Sequence, residues 1–166
     1  DSPYLHQNID KELLMKKLAT NNKAHYEYFV LKTVEAGIVL SAYDAKGIRL
    51  GKASLNGCFA KIVEGNAVLF DMYVGIQPNE RNTRFPLIQQ AFESQRERRL
   101  LLHKKEISKL EKELQETGTT LIPLSLYVNE NGKIKVELAL CKGKKVYDKK
   151  QTIKERDLDR QAKSEY

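Results

Sequence analysis

Two segments late in the chain alternate apolar and polar positions with the period of a strand. Ile122, Leu124, Leu126 and Val128 form one series and Ile134, Val136, Leu138 and Leu140 the other, with Asn129-Glu130-Asn131-Gly132 between them, which predicts a hairpin. An earlier pair, 59–63 and 67–74, flanks Glu64-Gly65-Asn66 and predicts a second hairpin, with Val68, Phe70, Met72 and Val74 on one face. Residues 26–40 are rich in aromatic and β-branched side chains and contain Ala36-Gly37, the pattern of a long strand bent or bulged at the glycine. Helical spacing is clearest at Leu100, Ile107, Leu110 and Leu114, with Gly118 where a C-cap belongs, so a helix is predicted over 100–117. Ile9, Leu13, Leu14 and Leu18 predict a short amphipathic helix over 8–19, outside the main body, and 43–50 predicts a brief one despite Gly47.

Between the hairpins the residues at 75–95 turn polar and irregular around Pro78 and Pro86, an inserted excursion. Beyond Asp148 the apolar content falls to Ile153, Leu158 and Ala162 among charges of both signs, so a tail at 148–166 is expected to be disordered when free and helical only against a partner. The organisation is therefore a helical extension at 1–20, a body at 21–147 and a tail at 148–166. The order of elements is that of a mainly β fold with appended helices: a small closed antiparallel barrel, of which the OB-fold is the RNA-binding example.

Charge narrows the function. Lys and Arg exceed Asp and Glu by 29 to 22 in 166 residues, a net charge of +7, which favours a polyanionic partner. No run of 18 apolar residues is present and the first twenty residues lack a secretory pattern, so neither a membrane nor secretion is expected. Cys58 and Cys141 are the only cysteines and each adjoins a strand, which points to reduced, buried thiols. The three histidines, His6, His25 and His103, form no ligand pair, so no metal or cofactor is expected. No serine, cysteine or second carboxylate forms a nucleophile motif around His25 or His103, and no phosphate-binding glycine loop occurs. Catalytic residues are expected to be absent.

Three basic clusters remain. The densest, CKGKKVYDKK at 141–150, places lysines around Gly143 and Tyr147; it suits phosphate contact with base stacking, or equally a solvated strand end with Tyr147 folded back on the barrel. Arg96-Glu97-Arg98-Arg99 runs towards His103-Lys104-Lys105 at a helix start, where cations oppose the helix dipole and therefore favour an anion-binding role. The third cluster comprises Asn21, Lys23, His25, Lys46 and Arg49.

Four blocks resemble the SmpB (small protein B, SsrA-binding protein) family: NNKAHYEYFVLKTVEAGIVL at 21–40, LLLHKKEISKL at 100–110, LIPLSLYVNENGKIKVELALCKGKKVYDKK at 121–150 and TIKERD at 152–157. The resemblance implies an OB-fold barrel that grips the tRNA-like domain of transfer-messenger RNA, with elongation factor Tu engaged indirectly through the charged RNA. It also implies a tail that probes the empty mRNA channel of a stalled small ribosomal subunit. RNA-facing positions implied by the match are Asn21, Lys23, Lys46, Arg49, His103, Lys104 and Lys105, extended by Lys142, Lys144 and Lys145. Asp44, where the family usually has glutamate, is a further candidate for an RNA or barrel contact. Tyr147 stands where a flat ring would stack on RNA of the decoding centre, and Asp148, Lys149, Lys150, Lys154 and Arg156 belong to the tail. The implied protein is a non-enzymatic, monomeric RNA partner in ribosome rescue, located in the bacterial cytoplasm or in an organelle of bacterial descent; the alternative is a structural ribosomal or general RNA-binding OB-fold protein. Asn22 stands where arginine is usual, Gln151 where D-K-R-E would give glutamate, and the tail carries a net charge of only +1.

Overall fold

The computed structural model describes residues 16–75 and 94–164, with the backbone alone at 146, 147 and 162–164. The predicted helical turns at 8–15 and nearly all of the 75–95 excursion lie outside the described residues. In chain order the elements are β1 (Lys16–Thr20), α1 (Ala24–Glu27), β2 (Tyr28–Ile38), α2 (Ala42–Arg49), β3 (Ala53–Ser54), β4 (Phe59–Val63), β5 (Asn66–Phe70), β6 (Tyr73–Val74), β7 (Arg98–Leu101), α3 (Lys104–Glu113), β8 (Thr119–Val128), β9 (Ile134–Gly143) and α4 (Val146–Ser164).

The large sheet runs β1-β8-β4-β5-β7-β2-β9, and β9 pairs again with β8, so the antiparallel ladder closes into the expected OB-like barrel. Both predicted hairpins form, but the strand expected over 67–74 divides into β5 and β6, and in β5 it is Ala67 and Leu69 that enter the barrel core while Val68 and Phe70 stay half-buried on the other face. Glu64 and Gly65 have φ of 51° and 78°, the two positive values that a two-residue turn between twisted strands requires. Asn129 Oδ1 accepts from the N–H groups of Asn131 and Lys133 and so closes the other turn.

Three other predicted elements differ. Lys16–Thr20 is a strand, not the end of a helix: it pairs with β8 from Lys16↔Val128 to Thr20↔Ser125. There it supplies the backbone partner that β4, paired with β8 at Leu121, does not provide. The helix expected from 100 begins only at Lys104, because Arg98–Leu101 bridges β5 and β2 through Leu100↔Ala67 and Leu101↔Gly37 and thereby closes the barrel. In β2 the irregularity falls between Val30 and Lys32 rather than at Gly37. Gly37 serves close approach instead: a Cβ there would stand 3.1 Å from Leu101 Cβ.

The barrel interior is filled by Ile48, Leu55, Leu69, Met72, Leu100, Leu110, Leu121, Leu126 and Leu138. A second apolar cluster, Ala24, Ile122, Leu124, Ala139 and Cys141, lies under α1 with Tyr28, Val30 and Phe59 packed against it. The register of β8 against β9 shifts between Pro123 and Ser125. That bulge explains why Ile122 and Leu124 join one cluster and Leu126 the other although all three alternate in sequence. Cys58 and Cys141 are free and buried, and burial pushes their thiols up to about 12 and about 11.

The tail is helical in this structure: Val146–Ser164 forms one helix, and its first turns find partners in α1. Lys149 Nζ lies 5.9 Å from the centre of the Tyr26 ring, and Lys144 Nζ donates both to Thr152 Oγ1 (2.7 Å) and to the His25 carbonyl (2.8 Å).

Candidate nucleic-acid interface

Two of the sequence candidates, Asp44 and Asn21, are buried. Asp44 is wholly buried. Its N–H and carboxylate form a reciprocal capping box with Ser41 at the start of α2. The same carboxylate receives Arg98 Nη2 at 2.9 Å and Nε at 3.3 Å, and pairs with Arg96. Burial alone would raise the Asp44 carboxyl; the hydrogen bond and charge of Arg98, with Arg96 and Ser41, outweigh it and hold the group below its usual value. Arg98 is itself fully buried, and its remaining N–H groups donate to the carbonyls of Met72 (2.7 Å), Arg96 (2.8 Å) and Ser94 (3.3 Å). Asp44 therefore makes the barrel contact, one of the two contacts expected for it, and Arg96 and Arg98 fasten the strand that closes the barrel, leaving Glu97 and Arg99 as the exposed residues of that run. Asn21 is also buried: its amide nitrogen donates to the Pro123 carbonyl (3.1 Å) and its N–H to the Leu124 carbonyl (2.8 Å), which ties α1 to β8.

The other candidates are distributed over three surfaces. At the corner of α1, β9 and α4 stand Lys23, Lys142, Lys144 and Lys145. Lys142 is half exposed and loosely paired with Glu116 at 3.6 Å. Lys145 is exposed, and its N–H donates to the Asp148 carboxylate (3.3 Å), which opens α4. Lys144 is held: besides its two hydrogen bonds, its ammonium lies 4.9 Å from the centre of the Phe29 ring. Tyr147 belongs to the first turn of α4, and its side chain lies outside the described residues. Lys149 packs towards Tyr26, whereas Lys150, Lys154 and Arg156 are exposed along the helix.

The second surface is α3. His103, Lys104 and Lys105 are exposed at its start, and Glu106 reaches back to accept the His103 N–H at 3.1 Å. Lys104, Lys105, Lys109 and Lys112 line a shallow groove with Ser108. Lys109 and Lys112 were missed in the sequence, although they follow Lys105 at i+4 and i+7, the spacing that shares a helix face. Lys32 anchors the far side of α3 through Glu113 at 2.5 Å, and the Glu116–Lys142 pair joins this surface to the corner. Lys46 and Arg49 form a third, separate surface on the last turn of α2, which packs on β1 and β6.

Among the described residues no group of three or more His, Cys, Asp or Glu gathers as a metal site, and no helix is long and apolar enough to cross a membrane. The arrangement is an array of exposed lysines on a rigid barrel that continues into a charged helix, which suits ionic contact with a phosphate backbone.

The family model for the SmpB protein matches residues 18–166, both barrel and tail. The chain belongs to the SmpB family. The SsrA-binding protein of Chlorobaculum tepidum is 49% identical over 142 residues, 86% of each chain. That of Coprothermobacter proteolyticus is 45% identical over 151 residues, 91% of this chain and 97% of the relative. SmpB likeness extends to three dimensions: a chain in a solved structure described as "tmRNA-SmpB: a journey to the center of the bacterial ribosome" is 34% identical, with a TM-score of 0.62, over 81% of this chain and 92% of that one.

Proposed function

We propose that this chain binds transfer-messenger RNA through its tRNA-like domain and directs it to stalled ribosomes, acting as a binding partner and not as an enzyme. The observation that carries this reading is the continuity of barrel and tail. β9 ends at Gly143, just past Lys142, and passes through Lys144 and Lys145 directly into a 19-residue helix bearing Lys149, Lys150, Lys154 and Arg156. One molecule can thus hold RNA on the barrel while presenting a helix elsewhere. The relatives' name, SsrA-binding protein, supports the RNA partner.

In this account Lys23, Lys142 and Lys145, with the lysines of α3, neutralise phosphates of the tRNA-like domain, while Lys46 and Arg49 offer a second contact. The helix enters the mRNA channel of the small subunit, with Tyr147 stacking on RNA of the decoding centre and Asp148 capping the helix behind it. Elongation factor Tu takes part only through the charged RNA. The site of action is the cytoplasm of a bacterium or the interior of an organelle descended from one. Truncation after Tyr147 tests the division of labour: binding of the tRNA-like domain is expected to persist while tagging of stalled peptides is lost. Tagging that survives truncation would overturn the role given to the tail.

A further inference from the structure

At the corner of α1, β9 and α4, Lys142 and Lys145 are exposed while Lys144 is drawn inward. The Lys144 N–H donates to the Glu27 carbonyl (2.9 Å), and its Nζ donates to the His25 carbonyl (2.8 Å) and to Thr152 Oγ1 (2.7 Å) beside the Phe29 ring. One ammonium thus joins α1, β2 and the second turn of α4. α1 is itself fixed, because buried Asn21 fastens it to the carbonyls of Pro123 and Leu124. Thr152 serves as acceptor without leaving its helix: its hydroxyl donates to the Asp148 carbonyl (3.0 Å), which leaves the oxygen to accept from Lys144.

Burial does not reinforce this junction. Ile153 and Leu158, the large apolar side chains next along α4, are exposed, and Lys149 adds a cation–ring contact with Tyr26 at 5.9 Å, near the outer limit of such interactions. What holds α4 on α1 is therefore polar, and the acceptors, a carbonyl and a hydroxyl, are uncharged. A phosphate is the stronger acceptor for an ammonium because it carries a full charge. Lys142 and Lys145, which stand on either side of Lys144 in the chain, are assigned to phosphates above. Whatever places a phosphate there competes with Thr152 and His25 for the same Nζ. A ligand that binds one of two states better shifts the molecule towards that state.

We propose that Lys144 is a latch: in the free chain it holds α4 against α1, and when phosphates of bound RNA take its ammonium the latch opens and the tail helix is released to reorient. The tail is thereby freed on a molecule that already carries RNA. The inference rests on the reading above for the identity of that RNA and for the use of the tail, and not for the competition at Nζ.

Hydrogen exchange of the full chain, followed residue by residue with and without saturating tRNA-like domain, tests it. RNA is expected to accelerate amide exchange over 148–156 several-fold while β8 and β9 stay slow. Thr152→Val keeps the shape of the side chain and Lys144 itself but removes the acceptor, and is expected to show the fast exchange without RNA. Because linkage is reciprocal, the same variant is expected to bind the RNA roughly two- to tenfold more tightly, the factor that one hydrogen bond is worth; a merely structural loss at Thr152 would speed exchange and leave affinity unmoved. Exchange that RNA leaves unchanged or slows, or a Thr152→Val variant that binds RNA no better, would overturn the latch. An elongator tRNA is run in parallel. Since the latch answers to phosphate, either RNA at saturation is expected to open it. Equal affinity for the two RNAs would refute the functional reading while the exchange still judges the latch, and binding of neither would overturn both.

Discussion

Asp44→Asn removes one charge from a pair in which both partners are completely buried. Breaking such a pair costs about 3–5 kcal/mol, because the remaining charge stays desolvated without its counter-ion. Here Arg98 keeps the carbonyls of Met72, Arg96 and Ser94, and asparagine retains one acceptor oxygen, so a loss of about 3 kcal/mol is expected at neutral pH. For a chain of this size that corresponds to a fall in Tm of roughly 6–12 °C. Asp44→Glu keeps the charge and is expected to melt closer to the unaltered chain. The sign of the acid dependence follows from the lowered carboxyl: its contribution is present at neutral pH and is lost as pH falls below the ordinary value of 3.8 through the folded-state value. Urea denaturation followed by circular dichroism from pH 7 to 2.5 is expected to show a shallower acid decline for Asp44→Asn. RNA affinity of the folded variant, measured at low temperature, is expected to stay unchanged. A variant melting within about 2 °C of the unaltered chain, or one that remains folded yet loses RNA binding, would refute the assignment of Asp44 to barrel closure.

Further outcomes follow from the same interactions. Replacing Lys142 and Lys145 by alanine is expected to flatten the dependence of log affinity on log salt by roughly 1.4–1.8, at about 0.7–0.9 for each phosphate no longer neutralised, and an unchanged slope would remove both residues from the interface. Lys144→Met removes the hydrogen bonds to Thr152 and His25; amide exchange over 148–156 is expected to accelerate while that in β9 stays slow. With folded-state values of about 12 and about 11, Cys58 and Cys141 are expected to resist a thiol reagent at pH 8 until the chain is unfolded. Since the native state keeps these protons after an unfolded thiol has lost them, stability is expected to fall as pH rises from 9 towards 11, and a melting curve flat across that window would contradict the burial.

What the sequence disclosed followed the strength of local patterns. Both hairpins carried turn residues, and in the later one Ile134, Val136, Leu138 and Leu140 all face the barrel interior as their spacing predicted, whereas in the earlier one Ala67 and Leu69 enter the core in place of Val68 and Phe70. Leu100 misled because its seven-residue distance from Ile107 fits a helix, while the requirement that overrode it, closure between β5 and β2, is non-local. Lys16–Thr20 misled for the same reason: its partner stands more than a hundred residues away. Among site residues, Lys23, Lys104, Lys105, Lys142 and Lys145 are exposed as a phosphate-binding role requires. Asp44, Arg96 and Arg98 could not be separated from them by composition, since a buried ion pair between α2 and β7 looks in sequence like two surface charges.

The central claim, that the barrel recognises the tRNA-like domain of transfer-messenger RNA, is tested most directly by titrating the intact chain with that domain and with an elongator tRNA at two salt concentrations. The account predicts tight, salt-sensitive binding that prefers the tRNA-like domain. Weak and equal binding to both RNAs would contradict it.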